Sequence, residues 1–392
     1  MKKKFLALAL TAVMALSLAA CGGDTQSTDT DADTSGDESA SGSQTYTVGI
    51  IQQVQHEALD AATQGFQDAL TELLGDSVTI DPQNASGDTA NCTTIANNFV
   101  SQGVDLIMAN GTTALQAAAT GTSTIPILGT SITEYGVALG IDGFTGTTGY
   151  NVSGTSDLAP LDQQAAMLQE LFPDAENVGL LYCSAEPNSV FQVETIQGYL
   201  EEMGYTCTQY AFTDVNDLSA VTQSACDGSD VIYIPTDNTA ANNTETIANV
   251  VIPAGVPVVC GESGICSGCG VATLSISYEE LGRITGEMAV QILTGEADIS
   301  TMPIEYTDAT PKYNPTMCEA LGLTPPDGYE AIKDGRLYGT VDQDPGLYAE
   351  KTMELIVGYL HGDITELEDQ YMLEFPIVTQ ENIDEYGPAG WD

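Results

Sequence analysis

TVGIIQQVQHEALDAATQGFQDALTELL, residues 47–74, carries the pattern that decides the fold. TVGII (47–51) is a short apolar run rich in β-branched residues, as in a strand buried on both faces. Leu59, Ala62, Phe66, Leu70 and Leu73 then recur at intervals of three and four, which sets them on one face of a helix. The alternation continues with VTI (78–80), a helix over about 89–101, VDLIMA (104–109), a helix opening at Thr112 and Thr113, and IPILG (125–129). Such strand-helix alternation predicts βαβ units and a parallel sheet. Residues 135–157, rich in Gly and Thr and without helical period, suit a crossover. A second series follows: a helix to Leu171, VGLLY (178–182), a helix with Val193, Ile196, Leu200 and Met203 on one face, YTCTQYAF (205–212), and a helix near 218–225. DVIYIP (230–235), a helix to Val251, VPVVCG (256–261), VATLSIS (271–277) and a long helix over 278–293 complete it. Two α/β lobes joined by crossovers are the economical architecture for a chain of 392 residues.

The chain opens with MKKKFLALALTAVMALSLAACGG. Lys2, Lys3 and Lys4 form a positive region, Phe5 to Leu18 an apolar one too short to span a membrane, and Leu18-Ala19-Ala20 the small residues of a cleavage site. LAAC resembles the lipobox of bacterial lipoproteins. That likeness implies a signal peptide over 1–20, a lipid on Cys21 and an extracytoplasmic protein held on the bacterial cell membrane, since two or more acyl chains make a durable anchor. Residues 24–44, DTQSTDTDADTSGDESASGSQ, contain no large apolar side chain and read as a disordered tether within 21–45.

The formal charge is −48 at pH 7, and only Arg283, Lys312, Lys333, Arg336 and Lys351 are basic beyond the signal. A surface so anionic repels nucleic acid and polyphosphate. Beyond Cys21 the cysteines are Cys92, Cys183, Cys207, Cys226, Cys260, Cys266, Cys269 and Cys318. Cys266-Ser-Gly-Cys269 has metal or redox spacing, but no second such pair or paired histidine accompanies it, and the histidines are His56 and His361 alone. A disulfide or plain buried thiols are the expectation, and no metal or cofactor is expected.

In open parallel α/β sheets, ligands bind beyond the carboxyl ends of the strands, where helix N-termini converge. Those positions here are Gln52, Gln53 and His56; Asn110, Thr112 and Thr113; Thr130 and Ser131; Ser184, Glu186, Asn188 and Ser189; Thr236, Asp237 and Asn238; and Glu262 and Ser263. Ser, Thr, Asp and Asn cap helices whatever the function, but capping does not account for a polar set at nearly every turn of both lobes. GxSxG, HExxH and P-loop patterns are absent there, and neither histidine lies near a plausible nucleophile in sequence, so catalysis is not expected. Few cations are available to clamp a phosphate or dicarboxylate. A single carboxylate could instead sit on the N–H groups and hydroxyls at Thr112 and Thr113, with Asp157, Glu186 or Asp237 facing an amino group. That pairing describes an amino acid or similar small zwitterion.

VGIIQQVQHEALDAATQGFQDAL (48–70), NVSGTSD (151–157), LYCSAEPNSVFQVE (181–194), IPTDNTAANN (234–243) and SYEELGRITGEMAVQILTGE (277–296) together resemble the ABC-transporter substrate-binding lipoproteins that include the tryptophan- and tyrosine-binding members. The resemblance spans about 47–332. It implies a type I periplasmic-binding-protein fold, two Rossmann-like lobes with parallel sheets joined by a three-strand hinge, closing on a ligand in the cleft. It also implies that Gln53, His56, Thr112, Ser156, Asp157, Glu186, Asn188, Ser189, Asp237 and Asn238 line that cleft; Thr113 and Glu262 join them from the strand-end reading. Lobe 1 is expected over 46–155, completed by about 275–310, and lobe 2 over 156–272, completed by about 311–332. ITEYG (132–136) and the cysteine-rich CGESGICSGCG (260–270) depart from the family pattern.

A further departure is the tail. DPGLYAEKTMELIVGYLHGD (344–363) aligns without a gap to SYEELGRITGEMAVQILTGE at an offset of 67, matching Thr285 with Thr352, Glu287 with Glu354, Val290 with Val357, Leu293 with Leu360 and Gly295 with Gly362. With GTVDQ before it and PIVTQENIDEY after it, the tail resembles the closing segment of a sugar-binding type I protein. Residues 333–392 are therefore expected to be an extra strand-helix segment repeating 272–315, packed outside a lobe.

The whole reads as a solute receptor, a monomer without enzymatic activity, that hands a small zwitterion, first of all an aromatic amino acid, to an ABC permease and its ATPase. The alternative ligand is a sugar or nucleoside, suggested by the tail. A sensor feeding a membrane kinase is a third reading, disfavoured by the lipid anchor.

Overall fold

The computed structural model describes residues 45–323 and the backbone of 339–341 and 377–379. The expected signal, the Cys21 site, the tether to residue 44 and the helical part of the tail lie outside the described residues.

The first sheet contains β1 (Tyr46–Gln52), β2 (Val78–Asn84), β3 (Leu106–Asn110), β4 (Ile127–Ile132) and β5 (Val152–Ser156) in the order 2-1-3-4-5. The second contains β6 (Asn177–Cys183), β7 (Thr206–Phe212), β8 (Val231–Ile234), β9 (Val258–Cys260) and β10 (Ala272–Ser275) in the equivalent order 7-6-8-9-10. These strands pair in parallel, joined by α1 (Glu57–Leu74), α2 (Thr89–Gln102), α3 (Thr112–Gly121) and α4 (Tyr135–Leu139) in the first half. In the second half the helices are α5 (Leu161–Leu171), α6 (Pro187–Glu202), α7 (Val215–Gly228), α8 (Asn238–Ala241), α9 (Thr244–Ala254) and α10 (Ser263–Cys269). Strands β1, β3, β4, β6 and β8 are almost wholly buried, because helices cover both faces of each sheet.

The chain crosses between the sheets three times: after β5, from β10 into α11 (Tyr278–Leu293), and from β11 (Glu305–Tyr306) into β12 (Thr310–Tyr313). Strand β11 joins the edge of the first sheet, and β12 joins the second beside β10. The second sheet is not purely parallel: β12 runs antiparallel to β10. It follows β11 after three residues and has no helix to turn it round, so it arrives from the opposite lobe pointing the other way. Helix α11 returns from β10 to pack against α1, closing the first lobe with residues far along the chain.

Two segments differ from the sequence reading. The stretch expected as a crossover contains α4 and all of β5. Glu134 caps α4 by accepting from the Val137 N–H, and the fully buried Tyr135 donates its hydroxyl to Gly129 O on β4 and Thr155 O on β5, each at 3.0 Å. This tyrosine belongs to the ITEYG stretch. We expect Tyr135→Phe, which removes the buried hydroxyl shared by two carbonyls, to lower stability by about 1 kcal/mol, measured by urea unfolding. The cysteine-rich stretch forms α10, capped by Glu262, with Ile265, Cys266 and Cys269 turned into the core. Its thiols are free, as are the other described cysteines, and no cluster among the described residues could hold a metal ion.

Helix α12 (Pro315–Ala320) ends the family-like portion. Beyond it, β13 (Gly339–Val341) and β14 (Ile377–Thr379) pair antiparallel as a separate two-stranded sheet. Among the described residues no helix is long and apolar enough to cross a membrane.

Candidate functional site

The carboxyl ends of the two sheets face each other, and a cavity of about 320 Å³ lies between them. From the first lobe its wall takes Gln53 and Val54 after β1, Ser86, Gly87 and Thr89 after β2, and Thr113 after β3. The second lobe supplies Cys183 at the end of β6 with Ala185 and Glu186 after it, Thr213, Asp214 and Val215 after β7, and Asn238, Thr239, Asn242 and Asn243 after β8. Of the residues expected from the sequence, Gln53, Thr113, Glu186 and Asn238 stand in this wall. The turns after β2 and β7 were missed, although the strand-end rule applies to them as it does to the others.

Each lobe organises its strand ends with side chains. In the first, Gln52 Oε1 accepts from Thr63 Oγ1 at 2.7 Å, and Asn110 Nδ2 donates to Leu59 O and Thr63 Oγ1. Thr112 is buried in the first turn of α3. The Thr113 N–H, which the sequence offered to a ligand carboxylate, donates to Gln53 Oε1 at 2.9 Å. Ser131, at the bulge where β4 shifts register against β5, holds a left-handed backbone with φ 55°, and its buried hydroxyl has no partner in the protein.

In the second lobe, two of the three acids proposed for an amino group are occupied by protein donors. Glu186 Oε1 accepts from the Thr239 N–H and hydroxyl at 2.8 and 2.7 Å, while Oε2 accepts from the Asn238 N–H and Nδ2 at 3.1 and 2.8 Å. Asp237 Oδ1 accepts from the Ala240 N–H and Oδ2 from the Cys183 N–H, with Ser189 also bonded to it. Burial and the neighbouring Glu186 raise the Asp237 carboxyl well above the usual range. These groups tie the turn after β8 to the end of β6. Asn188 and Gln192 bind the same turn through Thr236 O.

Asp157 is different. It is buried where the chain leaves β5 for the second lobe, and it accepts from two side-chain hydroxyls, Thr133 Oγ1 and Tyr278 Oη, each at 3.0 Å. Ser156 beside it donates to Thr133 O. Tyr278 opens α11 at the second crossing, so this contact joins two of the three connections between lobes. Burial pushes Asp157 up to about 6. Glu262, which accepts from the N–H groups of Gly264 and Ile265, is pushed to about 7 by burial, with the charges of Glu57 and Asp157 adding to it. A cation entering this buried acidic set would relieve the cost of ionising it.

Two direct contacts bridge the lobes beside these groups. His56 Nε2 lies 3.2 Å from Asn238 Oδ1, and Ser267 Oγ donates to Glu57 Oε2 at 3.0 Å. His56 occupies the N-cap position of α1, yet its side chain does not cap that helix.

A paired-lobe cleft of this build has known relatives. The family model described as ABC transporter substrate binding protein matches residues 47–331. A tyrosine-binding protein of Clostridioides difficile is 34% identical over 266 residues, covering 67% of this chain and 76% of that protein. The solved ABC domain in complex with L-Trp from Streptococcus pneumoniae superposes with a TM-score of 0.69 at 30% identity, covering 72% of this chain and 97% of that one. The ligand-free, open form of a substrate binding protein with adhesive properties from Clostridium difficile gives 0.58 at 35% identity, covering 72% and 96%. The two lobes and their three crossings are the type I periplasmic-binding-protein fold, as the sequence led us to expect. The chain belongs to the ABC transporter substrate-binding proteins, extracytoplasmic receptors that bind small molecules for a permease and are not enzymes.

Proposed function

We propose that this receptor binds a free aromatic amino acid between its lobes, with Asp157 holding the ammonium group, and delivers it to its permease from a lipid anchor on Cys21. The observation that carries the reading is the buried Asp157 at the lobe crossing. Its side-chain partners are two hydroxyls, one on each oxygen, whereas Glu186 takes four close bonds from backbone, amide and hydroxyl donors and Asp237 takes two backbone N–H groups and the Ser189 hydroxyl. The relatives that bind tyrosine and carry L-Trp support the ligand class. The other expected cleft residues divide by role in this reading. Because the Thr113 N–H is already taken by Gln53 Oε1, the carboxylate side is formed by the Gln53 amide N–H and the hydroxyls of Thr112 and Thr113, whereas Glu186, Asn188, Ser189, Asp237 and Asn238 shape the second lobe's turn, and Ser156 and Glu262 flank Asp157. Binding draws the lobes together about the three crossings, and the closed form is what the permease receives.

The test is calorimetric titration of the full chain in mild detergent, after unfolding and refolding to strip carried ligand, with tryptophan, tyrosine, phenylalanine, leucine and a few sugars. Micromolar or tighter binding of an aromatic amino acid is the expected result. Binding of a sugar alone would keep the receptor and overturn its ligand.

We also propose that 46–155 and 156–272 act as the two lobes, with 275–310 and 311–332 completing them in turn, and that 333–392 is an extra copy of the closing segment. Gly339 stands 67 residues after Ala272, and Ile377 stands 67 residues after Thr310. In both places the first strand pairs antiparallel with the second, one residue out of register between the copies. That offset is the one that aligns the intervening helical sequences.

A further inference from the structure

His56 carries a buried nitrogen that nothing in the protein satisfies, and a chain of hydrogen bonds fixes its chemical state. Glu186 accepts from two backbone N–H groups and the Thr239 hydroxyl. As a carboxylate it can only accept, so the Asn238 group 2.8 Å from Oε2 is the amide Nδ2. The amide oxygen therefore points away from Glu186, and it is this atom that meets His56 Nε2 at 3.2 Å across the lobe boundary. An amide oxygen also only accepts, so Nε2 must carry the hydrogen. Burial is the largest influence on the ring and lowers its pKa below the ordinary value, against the opposing charges of Glu186, Asp60 and Glu57. The imidazole is then neutral, and its second nitrogen, Nδ1, bears a lone pair and no proton. Nδ1 is buried without a hydrogen-bond partner in the protein.

An orphaned acceptor costs on the order of 1–3 kcal/mol, so its retention calls for an explanation. It is not a helix cap, since His56 sits at the N-cap without capping. It is not free to turn over, because a flipped ring would forfeit the bond to Asn238. His56 stands behind the cavity wall rather than in it: Gln53 and Val54, three and two residues before it, and its own partner Asn238 line the cavity.

We propose that His56 Nδ1 accepts a hydrogen bond from an N–H or O–H on the ligand's side chain, so that the cleft distinguishes an indole or phenol from a plain phenyl ring. This rests on the aromatic amino acid reading and assigns its selectivity to one atom. The ammonium is met by Asp157, which leaves the side-chain donor for His56. Because the Nε2 bond spans the lobes, Nδ1 takes up this orientation when the lobes close, and Asn238 and Glu186 act as positioning residues for it.

The experiment compares tryptophan with 1-methyltryptophan, and tyrosine with phenylalanine, on the native protein and on His56→Phe. The native protein should prefer each donor-bearing ligand at least tenfold, and His56→Phe should bring both ratios within twofold. The second measurement does not depend on a variant that folds. The chain has only two histidines, His56 and His361, so nitrogen-15 labelling of histidine gives two assignable rings, with His361→Gln identifying the second. With either ligand bound and the lobes closed, His56 should be protonated on Nε2, and the Nδ1 signal should differ between the tryptophan and phenylalanine complexes as a nitrogen that accepts a hydrogen bond differs from one that does not. A preference that survives in His56→Phe, or a ring protonated on Nδ1, overturns the proposal while leaving the ligand class standing. Failure of the native protein to bind any aromatic amino acid overturns both.

Discussion

Replacing Asp157 with Asn should weaken binding of an aromatic amino acid at least a hundredfold, about 2.7 kcal/mol, while the protein still folds. The asparagine keeps the shape and can still meet Thr133 and Tyr278, but it cannot oppose an ammonium charge in a buried site. The same residue makes the protein's pH responses run in opposite directions. Burial raises the folded carboxyl of Asp157 to about 6 and that of Glu262 to about 7, above their ordinary values near 4. A carboxyl whose pKa is raised on folding holds its proton more tightly in the folded state. Its contribution to stability is full below the unfolded value and is lost as pH rises through the folded one. The ligand-free protein should thus melt at a higher temperature at pH 5 than at pH 8. Ligand affinity should do the reverse, because the ammonium needs the carboxylate: it should fall as pH drops below about 6, by up to tenfold per unit for each proton taken up. In Asp157→Asn the affinity slope should flatten, and part of the stability difference should vanish with it. Calorimetry at pH 5, 6, 7 and 8 with scanning melts over the same range reads both. Affinity within twofold of native, with the slope unchanged, would place the ammonium elsewhere.

What could be read from residues alone follows the range of the interactions involved. The β1-α1 pattern and the bounds of α11 were legible because a 2- or 3.6-residue period is written into consecutive side chains. The Tyr135 hydroxyl was not, since its partners Gly129 and Thr155 are brought to it only by the β4-β5 pairing. Helix α10 was hidden for a related reason: ESGICSGC has the composition of a turn, and it is helical because Glu262 caps it and Ile265, Cys266 and Cys269 find a core. For the site, strand ends pointed to the right region. Sequence could not say which acid was free. Glu186 is satisfied from residues about fifty positions away, and Asp237 by the Cys183 N–H on another strand, so only the folded hydrogen-bond network separates them from Asp157.

Gly282→Val should be the most damaging single change to the fold, because α1 and α11 touch through their backbones. A Cβ added at Gly282 would lie 2.0 Å from Ala62 O, and one at Gly65, on the facing helix, 2.1 Å from Glu279 O. Neither obstacle is a side chain that can swing aside. The helices would have to separate, and Leu281, Thr285, Met288 and Ala289 would move with α11 away from Phe66, Leu70 and the first sheet. Overpacking of a core costs typically up to about 3 kcal/mol, and a valine between two backbones belongs at or beyond that limit. For a protein of this size the melting temperature should fall by roughly 6 to 12 °C. The displacement also reaches the cleft. Tyr278 opens α11 one turn before Gly282 and donates to Asp157, so a shifted helix loosens that carboxylate and weakens ligand binding along with the fold. Gly198→Ala is the contrast. It is an exposed glycine within α6 whose added Cβ would meet nothing within 4 Å, so alanine should raise stability by up to about 1 kcal/mol through helix propensity. A melting temperature for Gly282→Val equal to native would mean that α11 does not need this approach to close the lobe.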